Sequence, residues 1–256
     1  MIAKLKRAVR TAIEAQGYFV RPTSQFGLSL GDDLRRLLRQ QEAPRIFDVG
    51  ANSGNWLASI KHTFPGARVH CYEPDERAFA QLHANAQQFD QVECLQCAFG
   101  REPGARKFFR NADSETSSLL QPATQTRVLP YAEKLVPMDT VEVEVRTVAS
   151  ELSRLNVSRL DLLKTDCQGF DLGVLEGAER VINDGGIELI STEALFHAEY
   201  EGQAWFYEIL EWLTARGFAL IGIYDILHDD RGRALFGDAL FAAADSGASN
   251  ESAQRA

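Results

Sequence analysis

The chain has 256 residues, 45% of them hydrophobic and 25% charged, with a formal net charge of −9 and an isoelectric point near 5.1. Such a length suits one large α/β domain better than two, and the acidic balance argues against a general nucleic-acid binder, which needs a basic face to displace counterions. No run approaches the roughly 18–20 apolar residues of a membrane span, and the N-terminus lacks the apolar region of a secretory signal, so a cytoplasmic chain is expected.

Residues 1–44 predict a helical extension. Ile2, Leu5, Val9 and Ile13 fall on one face of a basic helix that also carries Lys4, Lys6, Arg7 and Arg10. A solvated helix lying on the domain is the favoured reading, with contact to a membrane surface left open. A turn at "RPTSQFG" and a second helix, "LGDDLRRLLRQQ", stopped before Pro44, complete the extension.

From residue 45 to residue 245 strands and helices alternate. "RIFDV" is a strand, residues 54–63 begin a helix, "ARVHCYE" is a strand and "DERAFAQLHANAQQF" a helix. "VECLQCAF" reads as a third strand. A spacing of three there points Cys94 and Cys97 to opposite faces, so core cysteines are expected and a zinc knuckle is not. Cys71 and Cys167 do not add up to a disulfide framework. "GREPGARKFFRN" reads as a hairpin around Pro103-Gly104, residues 111–138 as a long lid or binding loop, and "VEVEVRTV" as a half-exposed strand.

The alternation resumes with strand "LDLLKTD", helix "DLGVLEGAERVI", strand "IELISTE" and helix "AWFYEILEWLTARG", which Gly217 stops. Strands "FALIGIYD" and "ALFAAA" follow, and residues 246–256 read as a disordered tail. Apolar strands alternating with helices predict a mostly parallel, doubly wound sheet. The last two strands have no helix between them, so the final strand is expected to insert antiparallel. That ending belongs to the class I methyltransferase version of the Rossmann-like α/β fold.

The first strand–helix junction, "DVGANSGN", is where a ligand is expected. Gly50 and Gly54 let the backbone turn and a ligand approach. The spacing Gly50-x-x-x-Gly54 differs from the dinucleotide fingerprint G-x-G-x-x-G, because Asn52 takes the place of its middle glycine. Asp48 stands two residues earlier, and a carboxylate there suits a cationic ligand such as S-adenosylmethionine, with its sulfonium and α-ammonium, better than a pyrophosphate. Glu73 ends the second strand ahead of Pro74, where a carboxylate can accept both hydroxyls of a ribose. Adenosine is common to NAD and S-adenosylmethionine, so Glu73 leaves both open. The absent glycine and the paired final strands weigh against an NAD-dependent oxidoreductase.

"FDVGANSGNW", "YEPDERAFAQLHAN", "CAFG", "SSLL", "LDLLKTDCQGFDLGVLEGAE" and "ISTEALF" occur in the order seen in FkbM-type S-adenosylmethionine-dependent methyltransferases. Residues 45–243 resemble that family, most specifically in "LLKTDCQGFDLGVLEGA", which is similar to the family's "LLKIDVQGxExxVLxGA". Two departures stand out: Asp171 replaces the usual Glu, and Thr165 replaces the usual Ile. The resemblance implies S-adenosylmethionine as cofactor and methylation of a hydroxyl on a saccharide, polyketide or related secondary metabolite. It also places Ala98 near the adenine. The expected cofactor contacts are Asp48, Gly50, Ala51, Asn52, Gly54, Glu73, Pro74, Ala98 and Asp166.

An alcohol acceptor must be positioned behind the methyl and must lose a proton. In this fold the acceptor side is built from "KTDCQGFD" and "STEALFHAEYEGQ". Glu193 and His197 are the candidate bases there, with Tyr200 and Gln203 as acceptor contacts. Asp166 can meet cofactor or acceptor, and Lys164 lies on the same strand face, either pairing with it structurally or joining the chemistry. His62, His70, His83 and His228 read as ordinary residues, and Trp205, Ile209 and Trp212 as a core-facing helical stripe. Asp166 and Glu193 alone do not make a metal site, so no metal is expected. The expected partner is a small-molecule or saccharide acceptor, with no nucleic acid and no integral membrane segment. A non-catalytic protein that kept the cofactor site is the remaining alternative.

Overall fold

A computed structural model describes residues 2–17, 21–22, 25–124, 126 and 129–244, so the expected tail at 246–256 lies outside the described residues. In chain order the helices are α1 (Ile2–Glu14), α2 (Leu30–Leu37), α3 (Asn55–Thr63), α4 (Glu76–Ala86), α5 (Val148–Arg154), α6 (Asp171–Gly177), α7 (Glu179–Asn183) and α8 (Phe206–Thr214). The strands are β1 (Arg45–Val49), β2 (Arg68–Tyr72), β3 (Val92–Leu95), β4 (Ala98–Phe99), β5 (Gly104–Asn111), β6 (Pro137–Arg146), β7 (Leu160–Thr165), β8 (Ile187–Leu195), β9 (Phe218–His228) and β10 (Ala234–Ala243).

Seven strands form one sheet in the order β3-β2-β1-β7-β8-β10-β9. β1 pairs parallel with β2 and β7, and β7 pairs parallel with β8, whereas β10 runs antiparallel between β8 and β9. The expected antiparallel insertion of the last strand is therefore present, and the fold is the class I methyltransferase form of the doubly wound sheet. Successive strand residues point to opposite faces, so the apolar pairs Ile46/Phe47, Leu162/Leu163, Leu189/Ile190 and Leu240/Phe241 feed two cores at once. Phe47, Leu163, Ile190 and Phe241 pack with Val174, Leu175, Ile209 and Leu213 from α6 and α8. Ile46, Leu162, Leu189 and Leu240 pack with Leu34, Leu57, Ile60 and Leu82 from α2, α3 and α4.

α2 is thus built into the core of the sheet domain. Its Asp33 is 1% exposed and accepts hydrogen bonds from the Gly27 amide and the Tyr224 hydroxyl, both at 2.7 Å, while pairing with Arg36 at 2.8 Å. The carboxylate ties the segment before α2 to the outer strand β9. Asp33→Ala is expected to cost about 3 kcal/mol of stability in chemical denaturation, because the buried Tyr224 hydroxyl, the Gly27 amide and a guanidinium lose their acceptor together. Tyr224→Phe, which removes one of the three links, should cost about 1 kcal/mol.

Several expectations require correction. "VECLQCAF" is not one strand: β3 ends at Leu95, and β4 joins a second, three-stranded sheet ordered β4-β6-β5. Cys97 lies buried in the link between the two sheets, while Cys94 sits in β3 with Cys71 as its register partner on β2. Pro103-Gly104 is not a hairpin tip either, since β5 pairs antiparallel with β6 from residue 104 to residue 111 and β4 pairs parallel with β6. The helix expected over "DLGVLEGAERVI" divides at Ala178 into α6 and α7. In the Trp stripe Ile209 is buried and the half-buried Trp212 packs against the same core, as expected, whereas the half-buried Trp205 does not join it. Lastly, α1 does not lie on the domain. Its residues from Lys4 to Ile13, the apolar ones included, are all exposed.

Candidate active site

The site lies at the C-terminal ends of the central strands, as in open α/β sheets generally. A cavity of about 520 Å³ opens there. Its inner wall is the β1–α3 turn, where Gly50 (φ +78°) and Asn52 (φ +45°) take left-handed conformations. Close approach is what demands glycine at position 50: a Cβ there would stand 1.9 Å from the Asp166 carbonyl oxygen. Gly54, also left-handed at φ +90°, caps α3 and is not part of the wall.

Glu73 lines the cavity from the end of β2, 5% exposed, next to Pro74. Its two oxygens accept the Asn52 amide at 2.8 Å and the Asp75 amide at 2.7 Å. Burial nevertheless pushes its pKa up to about 7, outweighing those two bonds. Ala98 and Phe99 from β4 and Cys97 before it form an apolar wall beside Pro74. Asp48 lies beneath the site, fully buried, and reaches no ligand space. It pairs with Lys164 at 3.1 Å. Lys164 also lies 3.5 Å from Asp166 and donates to the Gly50 carbonyl at 3.2 Å. Burial pulls the ammonium down, but Asp48 and Asp166 outweigh it and hold Lys164 charged. This cation therefore clamps the glycine turn to β7, and its proton is firmly held.

The other half of the cavity is acidic. Asp166, Gln168 and Glu193 line it together, and the Gln168 amide donates to Asp166 at 2.8 Å and to the two Glu193 oxygens at 3.3 and 3.4 Å. Glu193 is 8% exposed. Burial raises its pKa well above the usual range, and the neighbouring carboxylates Asp166, Asp171, Glu199 and Asp238 raise it further. The Tyr200 hydroxyl lies 2.8 Å from both Gln168 Oε1 and the Thr116 carbonyl, so its proton is shared between two acceptors on opposite sides of the cavity rim.

The segment between residues 112 and 136 supplies Ser114, Thr116, Leu119, Tyr131 and Lys134 to the cavity lining. Its ends are joined by the Ala112 amide donating to the Val136 carbonyl at 2.9 Å. Its middle is zipped to the loop after β8, with Ala123 N donating to the Glu199 carbonyl and Glu201 N to the Gln121 carbonyl, each at 2.8 Å. Leu129 and Leu135 pack on Leu195, Tyr200 and Leu235. The Tyr131 hydroxyl donates to Glu199 at 2.5 Å, and both residues face the cavity with Phe236 and Leu227.

His197, an expected base, does not line the cavity. Its Nδ1 lies 3.0 Å from the Ala198 carbonyl, and its own carbonyl accepts Gln203 Nε2 at 2.8 Å. Gln203 folds back to accept the Glu199 and Tyr200 amides at 2.7 and 2.8 Å, so it braces the loop and does not reach the cavity, and Tyr200 lies behind Gln168. The structure thus gathers Gly50, Ala51, Asn52, Glu73, Pro74, Ala98, Lys164, Asp166 and Glu193 around one space, and sets Asp48, Gly54 and His197 outside it. Thr165, one of the family departures, bonds Thr192 across the β7–β8 pair at 2.9 Å. Asp171, the other, accepts the Cys167 amide at 3.1 Å and steadies the turn that carries Gln168.

Residues 48–220 match the sequence model of the methyltransferase FkbM domain, well over half of the chain. The chain belongs to the FkbM methyltransferase family. The chain is 26% identical over 185 residues to the 2-O-methyltransferase NoeI of Sinorhizobium fredii, covering 70% of this chain and 74% of that protein. It is 28% identical over 153 residues to the 31-O-demethyl-FK506 methyltransferase FkbM of Streptomyces tacrolimicus, covering 52% and 59%. A crystal structure of methyltransferase FkbM from Methylobacillus flagellatus KT aligns over 78% of this chain and 44% of its own, with a TM-score of 0.49 and 16% identity. The chain is therefore an S-adenosylmethionine-dependent methyltransferase.

The residues present fit that cofactor. A turn of small residues, Gly50 to Ser53, lies along the cavity, an apolar slot at Pro74 and Ala98 suits a flat ring, and the carboxylates of Glu73 and Asp166 suit hydroxyls and a cation. As the expected acceptor of two ribose hydroxyls, Glu73 would have to be ionised. Affinity for S-adenosylhomocysteine should consequently fall as pH drops through about 7, by up to about tenfold per pH unit below it. Calorimetric titrations at pH 6, 7 and 8 would measure the slope, and Glu73→Gln should flatten it.

Proposed function

We propose that the protein methylates a hydroxyl group on a saccharide or a related polyhydroxylated secondary metabolite. The observation that carries this reading is Glu193, a nearly buried carboxyl of raised pKa held against the cavity by Gln168. An alcohol must give up its proton as its oxygen is alkylated, and a buried carboxylate of raised pKa is a stronger base than an exposed one. S-adenosylmethionine supplies a methyl group already activated by the sulfonium charge. The chain itself has to bind, orient and deprotonate the acceptor. Asp166 and Glu199 offer carboxylate oxygens to acceptor hydroxyls, while Tyr131 and Phe236 offer ring faces to the apolar face of a sugar. Segment 112–136 covers this half and keeps water from the reacting oxygen. Two relatives whose names specify O-methyl chemistry support the same reading.

The test is product analysis with methyl-labelled cofactor against a panel of oligosaccharides, glycosides and hydroxylated macrolides, with amines and catechols as controls. Label in a methoxy group on a sugar or macrolide is the expected result. Label confined to nitrogen or carbon, or cofactor binding without turnover on any acceptor, would overturn the reading.

A further inference from the structure

The N-terminal helix presents a surface that the methyl-transfer site does not use. Residues advance about 100° each around a helix, so Leu5, Val9 and Ile13 form one stripe along α1. They are 64%, 49% and 39% exposed. Lys6 borders the stripe, Arg10 follows on the same side, and Arg7 and Lys4 occupy the opposite arc. α1 therefore carries four cations and one carboxylate, Glu14, a net +3 in a chain of net −9. Glu14 accepts from Arg10 at 2.8 Å.

An open stripe of three large aliphatic side chains calls for a cover, and the charge pattern selects it. Thirteen residues make a helix of about 20 Å, too short to span about 30 Å of hydrocarbon. Among the described residues no helix is long and apolar enough to cross a membrane. A protein groove would set carboxylates at fixed points opposite the cations. The cations of α1 are instead spread around the whole polar arc, an arrangement that matches a diffuse layer of negative charge. Lys6 at the border of the stripe can lay its stem along the apolar boundary and keep its ammonium group among phosphates. We propose that α1 docks flat on an anionic phospholipid surface, with Leu5, Val9 and Ile13 in the boundary between headgroups and acyl chains. The acidic remainder of the chain is repelled by the same surface, which confines contact to the helix and makes it sensitive to salt. Docking through α1 does not depend on which acceptor the active site takes.

The test is flotation of the full-length protein with vesicles of phosphatidylcholine alone, or with about one third phosphatidylglycerol. The expected result is at least about tenfold more protein recovered with the anionic vesicles, reversed at about 0.5 M salt. Leu5→Gln/Val9→Gln/Ile13→Gln and Lys4→Gln/Lys6→Gln/Arg7→Gln/Arg10→Gln should each drop recovery to the neutral-vesicle level. Both sets change exposed side chains, so S-adenosylhomocysteine binding should persist and report that the variants are folded. Equal recovery on both vesicle types, no recovery on either, or flotation of the aliphatic triple variant like the parent would overturn the proposal. So would a dimer in sedimentation that only the triple variant loses, since the stripe would then be covered by a second copy.

Discussion

Gly50→Ala is expected to lower the affinity for S-adenosylhomocysteine by more than about a hundredfold, equivalent to about 3 kcal/mol. Two effects combine. An L-residue at φ +78° costs about 1–2 kcal/mol, and the new Cβ would lie 1.9 Å from the Asp166 carbonyl oxygen. That oxygen belongs to the backbone and cannot swing away. The turn would have to shift as a whole, against the Gly50 amide bond to the Tyr72 carbonyl at 2.9 Å and the Asp166 amide bond to the Val49 carbonyl at 3.0 Å. Moving it displaces Asn52 from Glu73 and opens the contact between the first and second strand ends, where the cofactor is expected to rest.

Gly54→Ala is the matched control. It has a similar φ of +90°, but its Cβ would meet the Leu82 Cδ1 at 3.1 Å, the mobile end of a side chain. It should cost stability of about 1 kcal/mol and leave affinity within about fivefold. Calorimetry for binding, with a thermal melt for folding, separates the two variants. Equal losses would mean that backbone strain alone, and not contact with Asp166, decides the glycine at position 50.

The sheet was readable wherever burial on both faces writes an uninterrupted apolar run, as in "RIFDV", "LDLLKTD" and "IELISTE". The second sheet was not. β4 has two residues, too few to show a period, and its partner β6 lies some forty residues later in the chain. A similar limit applies to the site. The glycine turn and Glu73 act through neighbours in sequence, so their place could be argued from spacing. His197 had the right chemistry in the right loop, yet Gln203, six residues on, bonds its carbonyl and folds the loop with the ring facing away from the cavity. The acidic surroundings of Glu193 come from antiparallel register, which sets Asp238 opposite it, and from a loop that brings in Glu199. Tyr131 and Phe236 meet across more than a hundred residues. Gln168 did leave a local trace: "QG" after a strand end marks a tight turn, and both residues take positive φ, +53° and +84°. The turn was legible, but the use of the Gln168 amide to hold two carboxyl groups was not.

Glu193→Gln should lower kcat by about 10² to 10⁴ while leaving S-adenosylhomocysteine affinity within about threefold. The amide keeps the shape of the side chain and can still meet Gln168, but it has no lone pair basic enough to take the acceptor's proton. His197→Ala, by contrast, should leave kcat within about threefold, because that ring is turned away from the cavity. The pH profile distinguishes a base from a mere contact. Glu193 takes a proton only when ionised, so activity must fall as pH falls through its pKa. Burial and the carboxylates of Asp166, Asp171, Glu199 and Asp238 raise that pKa, so the falling limb should stand at higher pH than that of an ordinary exposed glutamate. Removing one of those charges moves the limb in a known direction. Asp238→Asn takes away a carboxylate that faces Glu193 across the β8–β10 pair, so the limb should shift to lower pH with its plateau retained. A limb that persists unchanged in Glu193→Gln would assign the proton transfer to another group, with Asp166 the nearest remaining carboxylate on the cavity wall.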